Sequence, residues 1–235
     1  MTEDVRITDL ARRLSMPRAK IYRYLQTLCN IGYVRQDPVS ERYRLTLKLF
    51  HVGQAIADGT QLTSTARPVM VQLRDKANLT CTLSIPEDGG MRVVDIVRID
   101  SLVQIVTKPG ALLSFHASAQ GKIALAFGDE ERLAQVLSGE LAPLPNGKSF
   151  DPAPLQSEVE KARKTGWAVA PEETLSGLNA IASPIFDLEN KFIATITIVG
   201  SVQDIRPEPS ATLCKAVTQA ARAISKDLGC TEYPT

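Results

Sequence analysis

Between Ile7 and Leu45 the chain switches once from helical to strand periodicity, and few folds accommodate that switch in so short a span. Leu10, Ala11 and Leu14 form an apolar stripe, and Thr8 stands where an N-cap hydroxyl would. A helix is predicted over 8–15. Ser15-Met16-Pro17 interrupts it, and Pro17 suits the first turn of a second helix, where its missing donor costs little. Ile21, Leu25 and Leu28 define the buried face of that helix, 17–30, while Ala19, Arg23 and Gln26 lie opposite, flanked by Arg18, Lys20 and Tyr22. Gly32 suits a left-handed cap. Strands are then expected at 33–35 and 42–45 around Asp37-Pro38-Val39-Ser40. Tyr43 and Leu45 should face inward, Arg42 and Arg44 outward. Two short helices, a tight turn and an arginine-bearing ribbon make a winged helix-turn-helix, which places its second helix in the major groove of double-stranded DNA.

Charge distribution agrees. The 235-residue chain has a formal net charge of +1, yet its first fifty residues carry ten Lys/Arg against five acids and the remainder is net acidic. A basic head on an acidic body suits a polyanionic partner for the head alone. Cys29, Cys81, Cys214 and Cys230 are scattered and do not cluster with His51 or His116, so no zinc site or other cofactor is expected, and the pattern fits a reduced cytosol. No long apolar run or signal-like start is present, which suggests a cytoplasmic protein without membrane contact.

Leu45, Leu49, Val52 and Ile56 have helical spacing and predict a linker helix over 45–56. The head is placed at 1–58 and a second domain at 64–235. In the latter, a helix over 64–77 leads to a hairpin of strands 80–85 and 92–99, a strand at 102–107, helices at 117–127 and 129–137, a proline-rich loop at 141–154 and a helix over 155–165 that Gly166 stops. Strands 178–186 and 192–199 and a closing helix over 209–229 complete it. Antiparallel strands with segregated helices predict an α+β domain.

Several stretches are similar to those of the IclR family of bacterial transcriptional regulators over nearly the whole chain. They are Leu10 to Leu14 with Pro17 and the helix to Leu28, Gly32-Tyr33-Val34 with Arg42 to Leu45, Phe115 to Lys122, and Gly166-Trp167-Ala168-Val169 with Glu172-Glu173 and the run from Gly177 to Ile185. The resemblance implies a GAF-like effector-binding domain with an antiparallel sheet, a homodimer or homotetramer, and control of a catabolic operon by a small organic acid. Family members usually carry one more helix before that of Thr8, so a small-molecule sensor with a weakened grip on DNA is an alternative. The resemblance also points to effector contacts at Phe115, Ser118, Ala119, Ala170, Ala180, Thr197 and Val199. Where the family often has an acid, a cysteine and a second hydroxyl, this chain has Ala170, Ala180 and Val199. Alanine offers room and no hydrogen bond, which suggests a ligand larger and less polar than a two- or three-carbon oxoacid, for example an aromatic acid. Its carboxylate could meet backbone N–H groups near Ser118 and Ala119 at a helix start.

Roles in the head follow from chemistry. Arg23 and Gln26 suit guanine and adenine edges and Ala19 a thymine methyl, whereas Arg18, Lys20, Arg42 and Arg44 suit phosphates. Tyr22 suits a phosphate or the cover of the head's core. No nucleophile elbow, metal triad or phosphate loop is present, and Gly89-Gly90 is a hairpin turn, so no enzyme is expected. A small hydrolase using Cys81 or His116 is the remaining enzymatic alternative, without a motif behind it. Glu172-Glu173 are expected as solvated loop carboxylates, Lys122 either at the surface or against an anionic ligand, and Trp167 in packing.

Overall fold

The computed structural model describes residues 4–49, 51, 61–100, 108–139 and 151–234. The chain forms two compact units, Met1–Gly59 and Thr60–Thr235.

In the first unit α1 (Ile7–Arg13) and α2 (Arg18–Asn30) precede an antiparallel ribbon of β1 (Val34–Gln36) and β2 (Tyr43–Leu45). The first helix starts before Thr8, with Arg6 at the N-cap and no side-chain capping bond. Ile7 accounts for this. It packs with Leu10, Ala11 and Met16 against Ile21, Leu25, Val34 and Tyr43, so burial rather than a hydroxyl sets the first turn. That core is small. Leu14 and Leu28, expected inside, are exposed beyond its rim. Gly32, at φ +77°, turns the chain from α2 into the ribbon.

The ribbon corrects two expectations. Arg44 is exposed, but Arg42 is half-buried because its Nη1 donates to the Asp4 carbonyl at 3.2 Å, beside a bridge between Val5 and Tyr43. Leu45 is 58% exposed. It borders an open groove with Leu10, Leu25 and Val34 that no described residue fills. Of the expected linker helix, residues 47–49 and 51 are helical, and the rest lies outside the described residues.

The second unit opens with α3 (Gln61–Ala77), then β3 (Thr80–Glu87) and β4 (Gly90–Val97). This hairpin is tighter than expected: only Asp88 and Gly89 form its turn, with Gly89 at φ +84°. The short β5 (Leu112–Leu113) was not legible from the sequence. The expected strand at 102–107 and most of the proline-rich loop lie outside the described residues. Then come α4 (Ala119–Phe127), α5 (Glu130–Ser138), α6 (Ala153–Thr165), β6 (Ala168–Val169), β7 (Leu178–Phe186), β8 (Phe192–Ser201) and α7 (Ala211–Asp227). Gly166, left-handed at φ 74°, ends α6 as expected.

The strands form one antiparallel sheet in the order β5-β4-β3-β8-β7-β6. The fold class is therefore α+β, a winged head followed by a domain built on an antiparallel sheet. Alternation along the strands assigns each face. Cys81, Leu83, Ile181, Ile196 and Ile198 pack under α3 and α7. Ala168 and Ala182 face the other way, into a core shared with α4 and α6.

Candidate functional site

The α4 side of the sheet holds an unusual set of side chains. Thr82 and Ser84 alternate with the core residues Cys81 and Leu83, and Thr195 and Thr197 alternate with Ala194, Ile196 and Ile198. All four hydroxyls therefore point away from α3 and α7. Register sets them side by side: Thr82 opposite Thr197 and Ser84 opposite Thr195, with Ala182 next to Thr197 on β7. Each hydroxyl oxygen is buried and has no hydrogen-bond partner among the described residues. A buried hydroxyl left unpaired costs about 1–3 kcal/mol, so four together mark a place built to receive polar atoms.

Four of the expected effector residues come to this same face. Val199 lies one row from Thr197, paired with Ala180 on β7. Ala170 directly follows β6, whose Val169 pairs with Ile181, and it packs with Ala182 and α4. Asn179 fixes this edge: its Oδ1 accepts from the Ala180 N–H at 2.8 Å and the Ala170 N–H at 3.3 Å, while its Nδ2 donates to the carbonyls of Ile205 and Arg206. Thr82, Ser84 and Thr195 were missed from the sequence. Hydroxyls at every second position of strands too apolar to face water were the available signal.

The α4 end differs in detail. Ser118 is the N-cap; its hydroxyl accepts from the Gly121 N–H at 3.1 Å and donates to the Ser114 carbonyl at 2.6 Å. That hydroxyl is committed to the helix. Ala119 is buried in the α4 core. Phe115 is also buried there, but it lines a separate cleft of about 590 Å³ with His116 and Arg132, whose guanidinium sits over the ring at 4.9 Å.

Lys122 is not at the surface, and its ammonium faces carboxylates of its own chain. Its side chain is 1% exposed, and its Nζ meets Glu173 Oε1 at 2.6 Å, Glu158 Oε2 at 2.8 Å and the Val169 carbonyl at 3.2 Å. Glu173 is correspondingly not a solvated loop carboxylate. Burial pushes its pKa up, and the Lys122 ammonium pulls against that shift. Cys81 lies in the α3/α7 core, where burial pushes its thiol far up, so it is no poised nucleophile. Trp167 packs against that core with the Lys161 ammonium over its ring. Among the described residues no group of His, Cys, Asp and Glu could hold a metal ion, and no helix is long and apolar enough to cross a membrane.

In the head, Arg18, Ala19, Lys20, Tyr22 and Arg23 are exposed on α2, and Gln26 is half-buried beside them. Ile21 and Leu25 occupy the opposite, buried face. A cationic helix face with its apolar side anchored can enter a groove without losing its core contacts.

Comparison with known proteins gives a consistent picture. The description "Bacterial transcriptional regulator IclR C-terminal" matches residues 54–226 and "IclR helix-turn-helix domain" matches residues 1–38. The HTH-type transcriptional regulator KdgR of Escherichia coli K12 is 31% identical over 238 residues, spanning 98% of this chain and 88% of KdgR. The Thermotoga maritima IclR crystal structure has a TM-score of 0.74 and 27% identity, over 98% of this chain and 93% of that one. An IclR homolog from Microbacterium hydrocarbonoxydans complexed with 4-hydroxybenzoate shares the fold, with a TM-score of 0.78 and 22% identity over 96% and 91% of the two chains.

Proposed function

The chain belongs to the IclR family of bacterial transcriptional regulators, and on that premise we propose that it reads operator DNA through α2 and the ribbon and answers to a small organic acid held on the α4 side of the sheet. One observation carries the choice of effector. The side-by-side hydroxyls of Thr82, Ser84, Thr195 and Thr197 are buried without partners among the described residues, next to a floor of Ala170, Ala180 and Ala182. Small side chains leave space for a carbon skeleton, and the hydroxyls require oxygen or nitrogen atoms on it.

This tempers the reading from the alanines alone. The ligand is an acid bulkier than pyruvate that also carries hydroxyl or carbonyl oxygens; a hydroxylated aromatic acid meets both demands. The 4-hydroxybenzoate complex of a protein with this fold supports the choice. With the Ser118 hydroxyl committed, the carboxylate is left to backbone N–H groups at the start of α4. Calorimetry with 4-hydroxybenzoate, pyruvate and glyoxylate tests the assignment. Tight binding of pyruvate or glyoxylate with none for 4-hydroxybenzoate would refute it.

On DNA, Arg23, Gln26 and Ala19 face base edges, while Arg18, Lys20, Tyr22 and Arg44 hold phosphates. Arg42 is a weaker phosphate contact, being engaged with the Asp4 carbonyl. A homodimer or tetramer presents paired heads to half-sites about one helical turn, roughly 34 Å, or a multiple apart. Ligand binding shifts that pairing by favouring one arrangement of the sensor. Footprinting on the promoter nearest the coding region, with and without 4-hydroxybenzoate, reads both parts.

A further inference from the structure

We infer that Lys122 and Glu173 are positioning residues for the effector site: their buried ion pair clasps the loop after β6 onto the first turns of α4 and so holds the Ala170 and α4 sides of the proposed site in register. The inference rests on the effector site proposed above. The loop, residues 171–177, leaves directly from Ala170. It reaches α4 at two points. Glu173 Oε1 meets Lys122 Nζ at 2.6 Å, and the Thr174 hydroxyl donates to the Ala117 carbonyl at 2.9 Å, one residue before the Ser118 cap.

The loop is braced internally. Glu172, at φ +58°, accepts from the Gly177 N–H through Oε1 at 2.9 Å, and its own N–H donates to the Leu178 carbonyl. Its far end is pinned where Asn179 accepts from Ala170 and Ala180. Among the described residues, the Lys122–Glu173 pair and the Thr174 hydroxyl then set its position over α4.

The two carboxylates on Lys122 are not equivalent. Glu158, on α6, is 39% exposed, whereas Glu173 is 16% exposed and its Oε2 is buried without a partner among the described residues. Glu158 can turn to water and Glu173 cannot. Where the aim is adhesion alone, packed apolar side chains of the same volume serve at least as well as a buried ion pair. What the pair adds is direction, since it has one low-energy geometry inside a low-dielectric site.

The experiment compares three variants of the full chain by hydrogen exchange and by alanine-methyl NMR. Glu173→Ala leaves Lys122 with Glu158 and the Val169 carbonyl, so the α4–α6 contact persists while the loop is released. Thr174→Val cuts the second tie, and Glu158→Ala is the control. Amides of 172–177 should exchange at least tenfold faster in Glu173→Ala, and to a smaller extent in Thr174→Val. The Ala170 and Ala119 methyl signals should shift, and Glu158→Ala should leave both readouts unchanged. Unaltered loop exchange in Glu173→Ala overturns the clasp. Faster exchange with unmoved methyl signals overturns its positioning role, and equal effects in Glu158→Ala reduce it to general packing. With 4-hydroxybenzoate as probe, Glu173→Ala should weaken binding at least tenfold, and unchanged affinity also counts against the proposal. If the wild type does not bind this probe while the exchange and methyl effects occur, the ligand class fails and the clasp stands.

Discussion

Replacing Lys122 by methionine keeps a long side chain and removes its charge. Glu173 then loses the cation at 2.6 Å while staying 16% exposed. It can remain ionised and uncompensated, at a cost of several kcal/mol in a buried setting, or take up a proton. Protonation caps the loss. From an ordinary value of 4.5, holding the carboxyl neutral costs about 3.4 kcal/mol at pH 7 and about 0.7 kcal/mol at pH 5, at roughly 1.36 kcal/mol per unit. Glu158 turns to solvent and adds little. The wild type already bears part of this cost, because burial holds Glu173 above its ordinary value even with Lys122 beside it. The sign follows from linkage. A carboxyl raised by folding holds its proton more tightly in the native state, so the penalty is absent below the unfolded value, grows as pH rises from there, and levels off above the native value. In Lys122→Met the native value climbs and the window widens. The expected destabilisation is about 2–3 kcal/mol at pH 7 and under about 1 kcal/mol at pH 5. Urea denaturation of both proteins at the two pH values measures it, and adding Glu173→Gln should restore most of the pH 7 loss. A loss that does not change with pH, or one below about 1 kcal/mol at pH 7, would show that Glu173 is not charged against Lys122.

Thr197→Val removes one buried hydroxyl that has no partner among the described residues, so the apo protein should gain or hold stability by up to about 1 kcal/mol while 4-hydroxybenzoate binding weakens; thermal shift with and without the acid reads both. Gly121→Ala should destabilise by more than about 2 kcal/mol, since a Cβ there would come within 2.4 Å of the Ser114 and Phe115 carbonyl oxygens; thermal melting tests it. Arg23→Ala should cost about 1–3 kcal/mol on the operator and relax base preference, whereas Arg44→Ala should weaken all duplexes and lower the salt slope by about 1. Gel shifts across a salt series separate the two, and Arg42→Ala should do less than Arg44→Ala.

Local signals were legible where one face of an element meets a large core. The turn from Asp187 to Lys191 between two apolar runs marked β7 and β8, and the glycines at 32 and 166 marked the ends they stop. The same reasoning failed at the margins of small cores. Leu14, Leu28 and Leu45 satisfy their periodicity yet remain exposed, because the head's core extends little beyond Ile21, Leu25, Val34 and Tyr43. Thr8 had the right chemistry for a cap, but burial of Ile7 moved the start of the helix ahead of it.

By itself the sequence determined the kind of molecule this is. The change from helical to strand spacing, the arginines on the ribbon and the succession of strands and helices in the body depend on near neighbours, and near neighbours can be read from a line of residues. Tertiary structure alone decided what the site is made of. Thr82 and Thr197 lie far apart in the chain and become neighbours only through the β3–β8 register. Lys122 and Glu173 meet only when α4 packs beside the loop after β6. Whether a polar group is solvated, paired or left waiting for a ligand depends on what distant segments bring against it, and pairing patterns within an element carry no record of that.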